Sequence, residues 1–248
     1  YTSGGLPAAI ATSGLVLNLD PSNNGSAHDY SFPGGGCGVT SWFDLSATAL
    51  TGTLTNFSTC ISTGWLGTGV AGSTTAHQLT FDGTNDFVSI TNGFTNTIKS
   101  DDTHTVEFWA KTSSIAGNPV VVGTSAANYL VQMSAANLYW YPAGLGGYRA
   151  YATTFVNSTW YHIALVKTAA ATGKAYVNGT ELTTTVDAGT GMSATGTGVA
   201  DLYIGKYSGG SLLTGSVGGV RMYSRDLSAT EVSTNCKAGG YKFGVTCN

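Results

Sequence analysis

The amino-acid sequence predicts an all-β domain, folded as a two-sheet antiparallel sandwich or jelly roll. Two observations predict this fold. About a dozen short runs alternate apolar and polar residues between Gly, Asn, Asp and Pro turn signals, which is the pattern of half-buried strands. The 248-residue chain also contains 35 glycines but only 9% charged residues, whereas an ordinary soluble domain contains roughly 25%. Its surface is therefore expected to consist largely of Ser, Thr, Asn and Gly.

The strands are predicted in chain order from these alternating runs. "LVLNLD" places Leu15, Leu17 and Leu19 on one face of the first strand. "QLTFDGTNDFVSI" contains two alternating runs about a D-G-T-N-D turn, which predicts a hairpin. In "HTVEFWAKT", Phe108 is expected to face the core and Trp109 the other side. Further strands are predicted in "PVVVGT", "NYLVQM", "NLYWYP", "TWYHIALVKT", "GKAYVNGTELTTT", "DLYIGKYSGG" and "LTGSVGGVRMY".

One segment near the C terminus, "DLSATEVSTNCKA", predicts a helix. Asp226 or Ser228 is the expected N-cap, and Glu231 follows Ser228 at the spacing of a capping box. No internal repeat or shift in composition marks a second domain, so one domain is predicted over residues 14–248. Residues 1–13 are small and polar and are expected to form an arm or linker. We expect the chain to be a fragment or mature domain whose targeting segment lies elsewhere.

The charge pattern argues against two classes of partner. The formal net charge is -3, and the ten Lys and Arg residues are scattered along the chain. Nucleic-acid binding requires a basic patch that neutralises phosphates, so no nucleic-acid partner is expected. The sequence also lacks an apolar run of about 18 residues, so insertion into a membrane is not expected.

The four cysteines predict disulfides rather than a zinc site. They show no C-x-x-C motif and no histidine at metal-ligand spacing. Of the three possible pairings, the two that are local in sequence are expected, Cys37–Cys60 and Cys236–Cys247, which favours an oxidising compartment. Free thiols in a cytosolic protein are the alternative.

Several segments in order carry a resemblance to a known family. The series "LVLNLDPSN", "SWFDLS", "LTFDGTNDFVSI", "HTVEFWAKT", "WYHIALVK", "AYVNGTEL", "LYIGKY" and "LTGSVGGVRMYSRDLSATEV" resembles the concanavalin A-like, laminin-G-like jelly-roll domains of bacterial surface and phage proteins. The likeness runs from about Leu15 to Val232. It implies two curved antiparallel sheets and a module that binds glycans or other surface ligands. The segment "DLSATALTGTL" departs from the family pattern, so that loop is expected to differ in shape.

The C-terminal segment "NCKAGGYKFGVTCN" resembles the ends of secreted fibre-type proteins, including trimeric adhesin tips. With the family resemblance, it implies a secreted or cell-surface protein of a bacterium or phage. The leading hypothesis is a non-catalytic binding module in an adhesin or fibre, recognising a glycan or another cell-surface ligand and forming a homotrimer through the fibre shaft. The alternative is a structural or assembly domain, such as a trimerising cap, that binds no small ligand.

The acidic residues do not form a predicted catalytic pair. A retaining glucanase needs two carboxylates roughly 5 Å apart, and carboxylates at i and i+2 of a strand would share one face. Glu107, Glu181 and Glu231 each lack an acidic neighbour at that spacing. The sequence also has no G-x-S-x-G nucleophile elbow. The domain is therefore predicted to have no enzymatic activity.

A calcium site and a plain hairpin turn remain alternative interpretations of one acidic segment. Asp82, Asn85 and Asp86 lie within five residues. Calcium takes six to eight oxygen ligands, and no Asp-x-Asp-x-Asp series supplies them. In the other interpretation, Asp82 and Asn85 accept hydrogen bonds from backbone N–H groups of the turn without a metal. No cofactor is needed in that case.

The densest group of aromatic residues predicts a ligand-binding platform. In "NLYWYPAGLGGYRAY", one alternating set of rings is expected to fill the core, and Tyr148, Arg149 and Tyr151, with Trp140 or Tyr141, are expected to border the ligand. Sugars bind where aromatic faces meet planar hydrogen-bonding groups. A half-exposed sheet face with ordinary tyrosines is the alternative. Other candidate positions are the loop aromatics Tyr30, Phe32 and Trp65.

Overall fold

The computed structural model of the protein describes residues 9–23, 40–57, 64–67, 76–98, 103–126, 129–142, 147–169, 172–189 and 199–248. The strands in these ranges are β1 (Leu15–Leu19), β2 (Ser41–Phe43), β3 (Thr51–Thr55), β4 (Gly64–Leu66), β5 (Gln78–Asp82), β6 (Phe87–Ile90), β7 (His104–Thr112), β8 (Val120–Thr124), β9 (Leu130–Met133), β10 (Asn137–Tyr141), β11 (Gly147–Ala152), β12 (Tyr161–Ala169), β13 (Thr172–Val177), β14 (Thr180–Glu181), β15 (Thr184–Gly189), β16 (Leu202–Ile204) and β17 (Thr214–Tyr223). The helices are α1 (Gly93–Thr97) and α2 (Ala229–Phe243).

The strands form two sheets. The eight-stranded sheet has the order β14-β13-β12-β7-β17-β5-β4, and β1 also pairs with β17. The nine-stranded sheet has the order β15-β11-β10-β9-β8-β16-β6-β3-β2. Neighbouring strands are antiparallel in both sheets. The predicted fold class, an all-β two-sheet antiparallel jelly-roll sandwich, is confirmed.

The main core lies between the two sheets and takes alternate residues from each strand. On β10, Leu138 and Trp140 are fully buried in this core, whereas Tyr139 and Tyr141 are half-buried and lie outside it. Successive side chains of a strand point to opposite faces, which is why the alternation in sequence predicted the two sets. The large side chains fully buried between the sheets include Trp42, Tyr129, Trp140, Tyr151, Phe81 and Phe108.

Helix α2 covers part of the outer side of the eight-stranded sheet. The ring of Trp109 on β7 stacks on Phe243, with 4.6 Å between the centroids, and Trp160 lies at the same distance from Phe243. The close approach requires a glycine on the helix. A Cβ at Gly239 would lie 2.8 Å from Nε1 of Trp109, which is closer than a Cβ normally comes to a non-bonded heavy atom. The eight-stranded sheet is thus packed on both faces in this region.

A buried polar network joins α2 to the same sheet. Both carboxylate oxygens of Glu107 accept hydrogen bonds from Asn235 Nδ2 at 3.1 Å, and Oε1 also accepts from Arg221 at 2.9 Å. Nε2 of His162 lies 3.6 Å from Oε2 of Glu107. Burial alone raises the pKa of Glu107, but the neighbouring imidazole of His162 and the charge of Arg221 outweigh it and bring the pKa to about 2. Glu107 is therefore a structural carboxylate inside the protein.

The N-terminal end of α2 matches the prediction from sequence, whereas the helix continues five residues beyond the predicted segment, to Phe243. Ser228 is the N-cap and forms a capping box with Glu231, and the helix ends at Gly244 in the left-handed conformation. The predicted Cys236–Cys247 disulfide is present and ties the tail back to the helix. The predicted partners Cys37 and Cys60 lie outside the described residues.

Two local features differ from expectation. A register shift between Leu15 and Leu17 in β1 places Leu15 against the apolar cluster between the eight-stranded sheet and α2. Leu17 remains in the core between the two sheets. The three leucines therefore do not share one face. The short helix α1 was not predicted, because five residues are too few to show a helical period. It buries Phe94 in the main core.

The described part of the predicted N-terminal arm contacts the domain. The backbone N–H of Ala11 donates to Oδ1 of Asn235 at 2.8 Å, and Nε of Arg225 donates to the carbonyl of Ser13 at 2.9 Å. Ala11 also packs against the apolar cluster beneath α2. Residues 9–13 therefore lie against the helix side of the sandwich.

Candidate ligand-binding site

The outer face of the nine-stranded sheet, the face turned away from the core, carries a group of half-buried aromatic side chains. Trp140 pairs with Arg149 of β11 and Val131 of β9. Because Trp140 points into the core, its strand neighbours Tyr139 and Tyr141 project from the outer face. Whereas α2 packs on the other sheet, this face leaves Tyr139, Tyr141 and Tyr148 partly exposed.

Three tyrosines form one contiguous cluster, called here the tyrosine cluster. The ring of Tyr148 lies edge-on to Tyr139 at 5.6 Å and tilted against Tyr141 at 5.2 Å. Leu130 of β9 pairs with Tyr141 and lies outside the main core. It is nevertheless buried, so neighbouring side chains on the outer face cover it. Burial first, and then the neighbouring Tyr148 and Tyr139, raise the pKa of Tyr141. Its hydroxyl therefore stays protonated at neutral pH and can donate a hydrogen bond.

Further along the same face is an open depression of about 250 Å³, called here the lysine pocket. Its lining includes Asn56, Asn85, Phe87, Lys206 and Tyr207. It therefore combines one cation, two aromatic rings and two side-chain amides. Ligand sites of small molecules have this character, with apolar walls and a few polar groups that fix orientation.

Lys206 is held on two aromatic faces at the lysine pocket. Its Nζ lies 3.6 Å from the ring centroid of Phe87 and 4.8 Å from that of Tyr203. Those two rings contact each other at 5.4 Å in an edge-to-face arrangement. The ring faces attract the ammonium through their quadrupoles. Burial lowers the pKa of Lys206.

Tyr207 connects the lysine pocket to the tyrosine cluster. It begins a tight turn in which Tyr207 and Gly210 exchange backbone hydrogen bonds of 3.3 and 3.1 Å. A Cβ at Gly123 of β8 would lie 2.5 Å from the carbonyl oxygen of Lys206 and 2.7 Å from Cβ of Tyr207. A glycine in β8 is therefore needed for the turn to lie against the sheet. Gly123 pairs with Leu130 of β9, and Leu130 pairs with Tyr141, so Tyr207 lies on the same face two strands from Tyr141.

The structure separates the predicted site residues by face. Tyr141 and Tyr148 lie together in the tyrosine cluster, as expected for a platform. Trp140 and Tyr151 are fully buried in the main core, so neither ring is available at the surface. The prediction that these two rings border a ligand needs correction, because side chains alternate across each strand and these two face inward.

Arg149 faces away from the tyrosine cluster. It pairs with Trp140 and shares the inward side of β11 with Tyr151. Its guanidinium donates to the carbonyl of Gly173, on β13 of the other sheet, at 3.0 Å, and to Asp187 on β15 at 2.7 Å. The hydroxyl of Tyr151 donates to the same carbonyl at 3.3 Å. Arg149 therefore joins the two sheets at one edge and does not lie beside the ring of Tyr148.

The acidic segment considered for calcium forms a hairpin turn held by its own side chains. Oδ1 of Asp82 accepts from the backbone N–H groups of Thr84 at 2.7 Å and Asn85 at 3.3 Å. Asp86 is buried, accepts from the Asp82 N–H at 3.0 Å, and has a pKa raised to about 6 by burial. In the described residues, no group of three or more His, Cys, Asp or Glu side chains is placed to hold a metal. Asp82 accepts as the turn interpretation expected, but the second acceptor is Asp86, and Asn85 takes part through its backbone N–H.

The three glutamates considered for catalysis all have structural contacts. Glu107 lies in the network under α2, Glu181 pairs with Lys174 at 3.0 Å, and Glu231 caps α2. Trp65, an alternative aromatic position, is buried against Trp42 with 5.2 Å between ring centroids. Tyr30 and Phe32 lie outside the described residues.

Half of the candidate site was not predicted from the sequence, namely Phe87, Tyr203, Lys206 and Tyr207. A signal was present in "LYIGKYSGG", where Tyr203 alternates with the core residues Leu202 and Ile204. The pairing of this strand with β6, which brings Phe87 beside Tyr203, depends on the fold and cannot be obtained from one sequence.

The chain resembles several solved structures in fold. Domain 4 of AbnA, an extracellular arabinanase from Geobacillus stearothermophilus solved with arabinotriose, matches at 14% identity and a TM-score of 0.58, covering 92% of this chain and 100% of that one. A Trypanosoma rangeli sialidase matches at 17% identity and a TM-score of 0.58, covering 95% of this chain. The binding domain of Botulinum neurotoxin DC, in complex with rat synaptotagmin II, matches at 9% identity and a TM-score of 0.58. The match covers 93% of this chain and 52% of that one.

These identities support a shared fold and nothing finer. The chain spans about a third of the length of the sialidase chains that it matches. No curated protein matches the sequence. Among the described residues, no helix has the length and apolar character needed to cross a membrane.

A family model decides the classification. Laminin_G_3, described as the concanavalin A-like lectin/glucanases superfamily, matches residues 82–233. That segment runs from the hairpin turn at Asp82 into α2 and includes the strands of the tyrosine cluster and Lys206. The match covers more than half of the chain and agrees with the two antiparallel sheets. The protein therefore belongs to the concanavalin A-like lectin/glucanases superfamily.

Proposed function

We propose that this domain is a non-catalytic module that binds a glycan on the outer face of its nine-stranded sheet. The observation that supports this most is the tyrosine cluster, in which the ring of Tyr148 contacts those of Tyr139 and Tyr141 and all three remain partly exposed. Aromatic rings present an apolar face, and tyrosines add a hydroxyl at the edge. Sugars offer matching apolar C–H faces and hydroxyl groups, so a tyrosine platform suits them.

The relatives in structure support a binding role. The arabinanase domain is described in complex with arabinotriose, and the neurotoxin domain is named a binding domain and is described in complex with rat synaptotagmin II. Other neighbours are sialidases, whose chains are about three times as long as this one. In this chain, Glu107 and Glu231 are engaged in structural contacts and Glu181 in a surface ion pair with Lys174, which favours binding over hydrolysis.

We further propose that the module belongs to an adhesin or fibre displayed at the surface of a bacterium or phage. The Cys236–Cys247 disulfide supports an oxidising compartment. The resemblance of the C-terminal segment to fibre ends supports attachment to a shaft, and trimer formation would then depend on that shaft. Under this proposal, light scattering of the 248-residue chain alone gives the mass of a monomer, and a stable trimer would instead favour an assembly role.

A glycan array tests the proposed function. The wild-type domain is expected to bind a defined set of oligosaccharides, and Tyr141→Ala and Tyr148→Ala are each expected to weaken that binding. Losing one ring contact costs on the order of 1–3 kcal/mol, which corresponds to roughly ten- to a hundredfold in affinity. The control is Tyr241→Ala, because Tyr241 is an exposed tyrosine on α2, on the opposite side of the sandwich.

Two results would contradict the proposal. If the wild-type domain binds no saccharide on a broad array, the tyrosine cluster has no glycan to bind. If it binds saccharides but both cluster variants retain full affinity, the site lies elsewhere on the protein. Thermal melts of each variant verify that a loss of binding does not come from unfolding.

A further inference from the structure

We propose that the lysine pocket binds the carboxylate of an acidic sugar, so that the ligand of the outer face is an anionic oligosaccharide. This inference rests on the proposed glycan-binding function and specifies its ligand class. Lys206 is the residue that would contact the carboxylate. The tyrosine cluster would contact neighbouring sugar rings of the same ligand.

Lys206 differs from most other cations of the protein in lacking an acidic partner. All three arginines pair with carboxylates, Arg149 with Asp187, Arg221 with Glu107, and Arg225 with Glu231. Lys174 and Lys242 also pair with acids. In the described ranges, no carboxylate oxygen lies within ion-pair distance of Lys206. Burial is the one cause that shifts its pKa, which agrees with the lack of a nearby acid.

The position of Lys206 favours capture of an anion. The ammonium rests on the faces of Phe87 and Tyr203, which hold the long side chain in place. It lines an open depression rather than a closed interior, so its charge is accessible from solvent. A partly desolvated cation gains more from an anion than a fully hydrated one does, because the local dielectric is lower.

The groups around Lys206 fit a carboxylate on a sugar ring. Asn56, Asn85 and Ser208 line the pocket and offer amide and hydroxyl groups to sugar hydroxyls. A single ammonium matches the single charge of a carboxylate. Phosphate esters carry more charge and are typically held by arginine forks or several cations, which this pocket lacks within the described residues.

The lysine pocket and the tyrosine cluster lie close enough for one ligand. Tyr141 is on β10 and Tyr203 on β16, three strands apart in the sheet. Strands are spaced by roughly 4.8 Å, so the two positions are separated by about 14 Å. Tyr207 lines the pocket and lies against Gly123 of β8, a strand between β10 and β16. The ligand is therefore expected to be an oligosaccharide of more than one ring.

Isothermal titration with matched acidic and neutral probes tests this inference. The acidic probes are trigalacturonate and sialyllactose, and the neutral probes are galactotriose and lactose. The wild-type domain is expected to bind at least one acidic probe about five- to tenfold more tightly than its neutral counterpart, with affinity falling as NaCl is raised. Trigalacturonate and sialyllactose distinguish a uronic acid from a sialic acid as the source of the carboxylate.

Variants separate the inference from the proposed function. Lys206→Met is expected to abolish the preference for acidic probes while neutral probes bind as before. Tyr148→Ala is expected to weaken the binding of acidic and neutral probes to the same extent. The control is Lys237→Met, since Lys237 is an exposed lysine on α2. If neutral probes bind as tightly as acidic ones, or if the acidic preference survives Lys206→Met, the inference is overturned and the glycan-binding proposal stands. If no saccharide binds, both fail.

Discussion

Adjacent residues on β10 are predicted to separate stability from ligand binding. Trp140 is fully buried between the sheets, whereas Tyr141 is half-buried on the outer face. The rings of Tyr129 and His104 lie 6.4 and 6.2 Å from that of Trp140. Trp140→Ala removes the indole and leaves a cavity beside those rings, at a cost of about 3–5 kcal/mol. Tyr141→Ala removes a ring from the surface and is expected to cost about 1 kcal/mol or less.

These costs predict separate thermal behaviour. In a domain of this size, each kcal/mol lost corresponds to a shift in melting temperature of about 2–4 °C. A loss of 4 kcal/mol therefore lowers the melting temperature of Trp140→Ala by roughly 8–16 °C. Tyr141→Ala is expected to melt within about 4 °C of the wild type and to lose glycan affinity.

Circular dichroism melts and urea titrations measure the two changes. The slope of the urea transition must stay constant between variants for the midpoints to report stability. Trp140→Phe is the matched control, because it keeps an aromatic ring in the core and is expected to cost less than the alanine variant. The face assignment is refuted if Tyr141→Ala melts as low as Trp140→Ala, or if Trp140→Ala is as stable as the wild type.

Three further predictions concern α2. Replacing Cys236 and Cys247 by Ser is expected to lower stability by about 2–3 kcal/mol in urea, because the disulfide restrains the unfolded chain; unchanged stability would contradict this. The pKa of Glu107 is about 2 in the folded protein and 4.5 ordinarily, so the stability it contributes is complete above about pH 4.5 and lost as pH falls toward 2. The melting temperature of Glu107→Gln should fall less at acid pH than that of the wild type. An identical pH profile for the two proteins would refute the role of Glu107. Gly239→Ala should lower the melting temperature, because its Cβ meets Trp109; a rise would show that helix propensity dominates.

Much of the fold could be predicted because strand alternation is a local property. In β7, the assignment of Phe108 to the core and Trp109 to the other side followed from sequence spacing alone, and the structure confirms both. The capping box of α2 is also local, since Ser228 and Glu231 are three residues apart. Features that span few residues and have strong geometric rules are those that one sequence predicts.

Other features depended on contacts distant in sequence. The register shift after Leu15 is set by pairing with β17, about 200 residues away. The contacts of Arg149 could not be predicted, because its partners, Gly173 and Asp187, come from two later strands. A planar cation between two tyrosines suggested a platform, but alternation along β11 turned the cation to the inner side. Lys206 was overlooked because its importance depends on the ring of Phe87, brought near by the pairing of β16 with β6.

The described ion pairs lie outside the proposed ligand site. A chain with only 9% charged residues has few ion pairs, and the described ones fall in two places. Three lie on the α2 side of the eight-stranded sheet: Arg221 pairs with Glu107 of the neighbouring strand β7, Arg225 with Glu231 of α2, and Lys242 of α2 with Asp20. Those of Arg149 and Lys174 lie at the β15 and β14 edges of the two sheets. The outer face of the nine-stranded sheet keeps a lysine cation on aromatic rings, so an anionic ligand would meet little competition there from the protein's own acids.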